Sequence, residues 1–309
     1  MNDLQTNTET QVAKRALCFS KDKSIEITVA TNAGACFGVV RAIKLGRQSV
    51  AKKSRKADAQ VFSFGPLIHN PMVVGELTEK GLQIAESAEE VSGGTVVLRS
   101  HGVRKEIEKS FKDRGVKIVD ATCPLVKKPQ RIAQGLAEKG YFLVLVGDKK
   151  HPEVNGVISY YSKPDYLVTY NPDDVALIPE GVEKVGILAQ TTIEVGVFDQ
   201  IVEKCRARFS EVAVHNTICD ATSVRQNEAA TLSQEADIMI VVGGKNSSNT
   251  KKLEKICKLY QPTTYLIEVK EEIDPAWFSG KFKVGVTGGA STPEDYVDEV
   301  GTYIATLLQ

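Results

Sequence analysis

One short pattern occurs three times in this chain, and the repetition limits what the chain can fold into more than any other feature. Asp120-Ala121-Thr122-Cys123-Pro124 and Cys219-Asp220-Ala221-Thr222 share it, and Ala33-Gly34-Ala35-Cys36-Phe37-Gly38-Val39 is a third version. Cys36 and Cys123 stand 87 residues apart, and Cys123 and Cys219 stand 96 apart. Gly147 and Gly243 each close a short apolar run 24 residues beyond their cysteine. Gly65 closes the corresponding run, Val61 to Phe64, in the first copy. A further apolar run follows in each copy, ending at Arg99-Ser100-His101, Ala189-Gln190-Thr191-Thr192 and Gly288-Gly289-Ala290-Ser291. A period of this kind means one supersecondary unit used repeatedly.

The unit is α/β. Runs such as Ile25 to Thr31, Val116 to Val119 and Asp237 to Val242 have strand character, and stretches with helical spacing such as Val126 to Glu138 follow them. Alternation of this sort predicts parallel sheets with right-handed crossovers, and ligands then bind beyond the carboxyl ends of the strands. We therefore expect three pseudo-threefold-related α/β domains with parallel sheets, at 25–118, 119–215 and 216–309. Residues 1–24 are expected to be a disordered lead-in.

A chain of 309 residues has room for three such modules. Its 39 basic and 39 acidic residues cancel, which removes any global pull toward nucleic acid or an anionic membrane surface. No apolar run reaches the roughly 18 residues that a membrane span needs. The first residues carry Asp3, Glu9 and Asp22 rather than a leader's apolar centre, so a cytoplasmic protein is expected. Six cysteines are too few for a disulfide scaffold. Cys18, Cys205 and Cys257 fall outside the repeat and are expected in ordinary packing or surface positions.

A lone cysteine is often just a small buried hydrophobe. Three at equivalent repeat positions would be brought to one axis. There Cys36, Cys123 and Cys219 could hold a zinc ion short of one protein ligand, or an iron–sulfur cubane with one iron left open. His69, His101 and His151 each follow a strand, whereas His215 lies in a strand-like segment and is expected to be structural. Ser247, Ser248, Asn249, Ser291 and Thr292 precede helices, where they could be simple N-caps or could aim hydroxyls and free N–H groups at a phosphate. Glu153 shares a loop with His151 and is the carboxylate placed to act as a general acid, with Thr191 and Thr192 able to orient the proton. Three readings stay open on these residues: a metal-assisted enzyme acting on a phosphate-bearing substrate, a zinc phosphate-ester hydrolase, and a non-catalytic iron–sulfur sensor or carrier.

The ordered motifs nevertheless resemble one family. Cys-Phe-Gly-Val-x-Arg-Ala at 36–42, Arg-Ser-His-Gly-Val at 99–103, Asp-Ala-Thr-Cys-Pro at 120–124 and His-Pro-Glu-Val at 151–154 carry the resemblance. So do Ala-Gln-Thr-Thr at 189–192, Gly-Gly-Lys-Asn-Ser-Ser-Asn-Thr at 243–250 and Gly-Ala-Ser-Thr-Pro at 289–293. Together they resemble the LytB family of 4-hydroxy-3-methylbut-2-enyl diphosphate reductases, from about Ile25 to the C-terminus. The resemblance implies a trefoil of three α/β domains around a [4Fe-4S] cluster bound by Cys36, Cys123 and Cys219, with one iron lacking a protein ligand. It implies a diphosphate site built from His69, His101, His151, Ser247, Ser248, Asn249 and Ser291, with Thr191 and Thr192 beside it. Glu153 and Thr191 would deliver protons. The implied reaction is reductive loss of the substrate's hydroxyl to give isopentenyl and dimethylallyl diphosphate, with electrons from a donor protein such as ferredoxin or flavodoxin. Two positions depart from the family's pattern: Ala35 stands where Phe is usual, and Gly288 where Ala is more common.

Overall fold

The computed structural model describes residues 14–19, 25–53 and 60–308, with the backbone alone at 14–19 and 53. The strands form three sheets. The first contains β3 (Val61–Phe64), β4 (Leu82–Ala85), β5 (Thr95–Leu98) and β6 (Lys117–Asp120), in the order β4-β3-β5-β6, all parallel. The second contains β7 (Phe142–Val146), β8 (Tyr166–Thr169), β9 (Lys184–Ala189) and β10 (Glu211–Val214), in the order β8-β7-β9-β10, again all parallel. In the third, β11 (Ile238–Val242), β12 (Thr264–Ile267) and β13 (Lys283–Gly288) run as β12-β11-β13 and are completed by β2 (Glu26–Ala30). The strand order is therefore the same in all three, but the third sheet takes its fourth strand from the start of the chain. The sequence reading had assigned this strand to the first repeat. The difference follows from a cyclic repeat: the strand that precedes each cysteine closes the sheet of the preceding unit, and for Cys36 that unit is the last one.

A strand also stands in the expected lead-in. β1 (Lys14–Phe19) pairs antiparallel with β2 at the edge of the third sheet, where a disordered lead-in had been anticipated. Pairing there occupies the backbone groups that an open edge would leave bare. Residues 1–13 and 20–24 lie outside the described residues.

The helix after each cysteine packs on the next sheet. α1 (Phe37–Lys53) lies on β3 and β5, and α4 (Pro124–Glu138) lies on β7 and β9. α7 (Asp220–Glu235) follows Cys219 and reaches β13 through Leu232. The repeat persists in the packing. A Cβ added at Gly186 in β9 would meet Leu136 of α4 at 2.6 Å, and one at Gly285 in β13 would meet Leu232 of α7 at 3.1 Å. Leu136 and Leu232 each stand 13 residues past their cysteine, so the same helix position presses on the same strand glycine. Central strands such as β11 are buried at every residue, as parallel strands covered on both faces are.

By internal contacts the chain forms two units. One carries the third sheet, with residues up to 34, 224–245 and 250–309; the other carries the first two sheets, with 35–223 and 246–249. No helix among the described residues is long and apolar enough to cross a membrane.

Gly288, one of the two departures from the family pattern, has a local cause. A Cβ there would lie 2.6 Å from Cγ2 of Val297 in α9 (Glu294–Leu307), so the valine fills the space that an alanine methyl would need. Ala35 is half-buried against the core of the first sheet.

Candidate active site

Cys36, Cys123 and Cys219 all stand immediately before the first residue of a helix, on α1, α4 and α7 respectively. All three are free and half-buried. They share one neighbourhood. A Cβ added at Gly38 would meet Sγ of Cys123 at 2.6 Å and Sγ of Cys36 at 3.9 Å. Burial pushes the Cys123 thiol up in pKa, the N–H groups of Leu125 and Val126 pull it down, and the charges of Cys36 and Cys219 add to the rise. Cys219 is likewise raised by burial, opposed by the N–H groups of Ala221 and Thr222, with Cys36 again contributing. Two of these sulfurs thus face backbone N–H groups of a first helical turn, a setting suited to a thiolate.

Two loops tie the cysteines to polar groups in matching fashion. The N–H of Cys123 donates to the Ser100 carbonyl at 3.0 Å, and that of Cys219 donates to the Thr191 carbonyl at 2.9 Å. Ser100 Oγ lies 3.4 Å from Nδ1 of His101. Thr191 turns its own N–H and hydroxyl to the two carboxylate oxygens of Glu153, at 2.7 and 2.8 Å. Glu153 opens α5 (Pro152–Ser159) and is 1% exposed, so the pair is sealed from bulk water.

The three loop histidines converge. The ring of His101 is centred 4.4 Å from that of His69 and 5.5 Å from that of His151, and His69 and His151 are 5.9 Å apart. One ring nitrogen from each lies within 4.8 Å of the others. Burial, followed by the charges of His69, His151 and Arg99, holds the His101 pKa well below its ordinary value. Burial and then Arg99 lower His69. The geometry of His151 separates anion binding from metal binding here. Its Nδ1 accepts the Glu153 N–H at 3.2 Å, so the neutral ring carries its proton on Nε2. A metal-ligating histidine has the opposite arrangement, donating its second N–H to a neighbour. Nε2–H is a donor, suited to a phosphate oxygen.

The loop after β11 leads into α8 (Ser248–Tyr260), and Ser247 and Asn249 are buried. Neither Nδ2 nor Oδ1 of the Asn249 amide has a hydrogen-bond partner. A buried amide left so costs about 1–3 kcal/mol, which an incoming polar ligand would recover. Ser248 Oγ lies 3.3 Å from Thr192 Oγ1, which accepts from Gln190 Nε2 at 3.1 Å. Ser291 is buried in the loop after β13 and belongs to the other unit. His215 follows β10, where its N–H donates to the Ile187 carbonyl at 2.9 Å, a structural placement.

Several contributors went unread in the sequence. Gln190 is buried and also accepts the Asp148 N–H at 3.1 Å, which joins the loops after β7 and β9. Its place inside Ala-Gln-Thr-Thr was the available signal. Arg41 donates to the carbonyls of Asp120 and Thr122 at 3.1 and 3.2 Å, holding the approach to Cys123. Arg225 does the same one repeat on, donating to Asn32 and Gly34 carbonyls at 2.9 Å, while Glu228 takes the N–H groups of Thr31 and Asn32 at 2.7 and 2.8 Å.

Comparison with known proteins identifies the family. The model of the LytB protein family matches residues 27–305. The chain belongs to the LytB family. It is 45% identical over 276 residues to 4-hydroxy-3-methylbut-2-enyl diphosphate reductase of Geobacter metallireducens, covering 89% of this chain and 95% of that one. The protein of the same name from Aquifex aeolicus is 40% identical over 287 residues, covering 92% and 98%. A solved structure of (E)-4-hydroxy-3-methyl-but-2-enyl diphosphate reductase, the terminal enzyme of the non-mevalonate pathway, aligns with TM-score 0.66 at 40% identity, covering 90% and 98%. The E-1-hydroxy-2-methyl-but-2-enyl-4-diphosphate reductase from Plasmodium falciparum aligns with TM-score 0.82 at 27% identity, covering 91% and 87%.

Proposed function

We propose that this LytB protein catalyses the reductive dehydroxylation of 4-hydroxy-3-methylbut-2-enyl diphosphate to isopentenyl and dimethylallyl diphosphate, the last step of the methylerythritol phosphate route to isoprenoids. The reaction consumes two electrons and two protons. The allylic C–O bond breaks, a C–H bond forms and the hydroxyl departs as water. The observation that carries the reading is Thr191, whose carbonyl holds the Cys219 backbone while its N–H and hydroxyl hold Glu153. One residue thus spaces the group that would supply a proton against the group that would bind the metal centre.

Cys36, Cys123 and Cys219 fit a [4Fe-4S] cluster with one iron lacking a protein ligand. The donors are three thiols, two of them facing helix N–H groups, and Gly38 leaves room that a methyl would fill. Membership of the LytB family supports a multi-iron centre over the zinc hydrolase. When bound, the cluster would supply electrons and an open coordination position.

The rest of the chemistry belongs to the chain. His69, His101 and His151 hold one side of the diphosphate, with Nε2–H of His151 as a donor. Ser247, Ser248 and the unpartnered Asn249 amide hold it as well. Glu153 delivers the proton to the leaving hydroxyl, with Thr191 fixing its carboxyl group and Thr192 orienting the loop. A sensor would have no use for this arrangement. Free thiols holding such a cluster suit a reducing compartment, and we place the protein in the cytoplasm. The test is anaerobic turnover of 4-hydroxy-3-methylbut-2-enyl diphosphate with dithionite-reduced methyl viologen. Two electron equivalents should be consumed per product formed, and the absence of both products would overturn the reading.

A further inference from the structure

Arg41 puts a positive charge on the backbone that leads into Cys123. It stands five residues after Cys36 on α1, and its guanidinium donates to the carbonyls of Asp120 and Thr122 at 3.1 and 3.2 Å. The Thr122 carbonyl belongs to the peptide bond that ends in Cys123, so the cation sits one peptide unit from a cysteine of the site. Both bonds use neutral oxygens, and among the described residues Arg41 makes no ion pair. Its charge therefore stays uncancelled in a half-buried position, where salt and water screen it less than at the surface.

The carboxylates that could offset this charge are taken. Asp120 is bound to Lys127, and Glu108 on α3 (Lys105–Asp113) is bound to Lys112. Arg225 makes the equivalent grip one repeat on, donating to the carbonyls of Asn32 and Gly34, which precede Cys36. There Glu228, three residues further along α7, takes the N–H groups of Thr31 and Asn32, so that turn receives both signs of charge. The two grips share their backbone hydrogen bonds and differ in net charge. Holding a turn in place accounts for the bonds, which both arginines make, but not for the isolated cation, which belongs to Arg41.

We propose that Arg41 is a positioning residue that tunes the metal centre of the three cysteines by raising its reduction potential. The inference rests on the cluster reading, because only a redox centre has a potential to tune. Uptake of one electron adds one negative charge to the centre, and a fixed cation beside Cys123 stabilises that form over the oxidised one. No bond to Arg41 forms or breaks in this step, and no proton moves, since a guanidinium stays charged throughout. The two carbonyls hold the planar fork of the side chain in one place, which keeps the charge at a set distance from the cysteine backbone.

The test is a redox titration of the anaerobic, cluster-loaded protein followed by electron paramagnetic resonance, with iron content and urea unfolding measured beside it. Arg41→Gln keeps N–H donors for the carbonyls but removes the charge. It should retain iron and move the one-electron equilibrium about tenfold toward the oxidised form, a potential about 59 mV lower. Arg41→Lys should hold the wild-type potential while losing stability, because it keeps the charge without the fork. Lys44→Gln removes an exposed cation one turn along α1 and should change the equilibrium by less than about twofold. Asp120→Asn leaves Lys127 unbalanced and should move the equilibrium toward the reduced form, which decides the matter if Arg41→Gln fails to hold iron. The proposal is overturned if Arg41→Gln or Asp120→Asn keeps the wild-type potential, if Arg41→Lys falls as far as Arg41→Gln, or if Lys44→Gln shifts as far. Wild-type protein that takes up no iron would overturn the cluster reading and this proposal with it, whereas iron-loaded variants with an unmoved potential overturn this proposal alone.

Discussion

The same chemical groups stand in this chain twice over, once in loops at the carboxyl ends of strands and once elsewhere, and their surroundings differ in kind. Cys36, Cys123 and Cys219 are half-buried, and Cys123 and Cys219 face backbone N–H groups. Cys205 in α6 (Val195–Arg208) and Cys257 in α8 are buried among apolar side chains, which push both thiols up to about 11. Glu153 is buried against Thr191, whereas Glu76 of α2 (Pro71–Glu79) is partnered at the surface by Arg47 and Lys80, which lower it to about 2. Asn70 uses its side chain to cap α2 by accepting the Val73 N–H at 3.1 Å, while Asn249 has no partner. The loop residues line the site, where the Asn249 amide lacks a partner, and their counterparts serve the fold.

The comparison can be broken most easily at sulfur. Cys36→Ser, Cys123→Ser and Cys219→Ser should each lose their iron, whereas Cys205→Ser and Cys257→Ser should keep it and lose about 1–3 kcal/mol of stability through a buried hydroxyl. Iron content and urea unfolding check both halves. Retained iron in all three loop variants would dissolve the distinction.

At the carboxylates the expected effect is smaller. Glu153→Gln should keep iron and substrate binding but turn over at least about a hundredfold more slowly, a loss of about 3 kcal/mol in barrier lowering. Glu76→Gln should leave turnover unchanged. The measurement is single-turnover kinetics with viologen in excess.

The two asparagines should split affinity from stability. Asn249→Ala should weaken substrate binding about 10- to 100-fold, as loss of a charge-assisted hydrogen bond does, with little loss of stability because no bond is broken in the free protein. Asn70→Ala should cost about 1 kcal/mol of stability as a lost cap. Titration calorimetry and denaturant unfolding separate the two.

The smallest effect concerns the histidines. With folded pKa values below the ordinary 6.5, His69 and His101 bind fewer protons folded than unfolded. Stability is therefore fully present above about 6.5 and is lost as pH falls toward the folded values. Urea midpoints measured from pH 7.5 down to 5.5 should decline. His101→Asn should flatten that slope more than His215→Asn, since burial lowers His215 less severely.

Much of this was legible in the sequence, and the misses have physical causes. The repeat disclosed three sheets and the positions of the cysteines because spacing survives when side chains change. β4 and β12 went unread because four-residue edge strands such as Leu82-Gln83-Ile84-Ala85 carry too little alternation. β1 was hidden by polar surroundings, and β2 was given to the wrong sheet because a linear reading cannot see a cyclic closure. Thr191 and Glu153 could be named from their motifs, but their contact joins residues 38 apart in the chain. The bare amide of Asn249 has no signature in the sequence, because it depends on what fails to surround it.

The central claim is that the three loop cysteines share one multi-iron centre, and the most direct measurement is metal and sulfide analysis of anaerobically purified protein alongside its spectrum. The account predicts brown protein with about four iron and four sulfide per chain and broad thiolate-to-iron absorption. One zinc per chain, with no iron or sulfide, would contradict it.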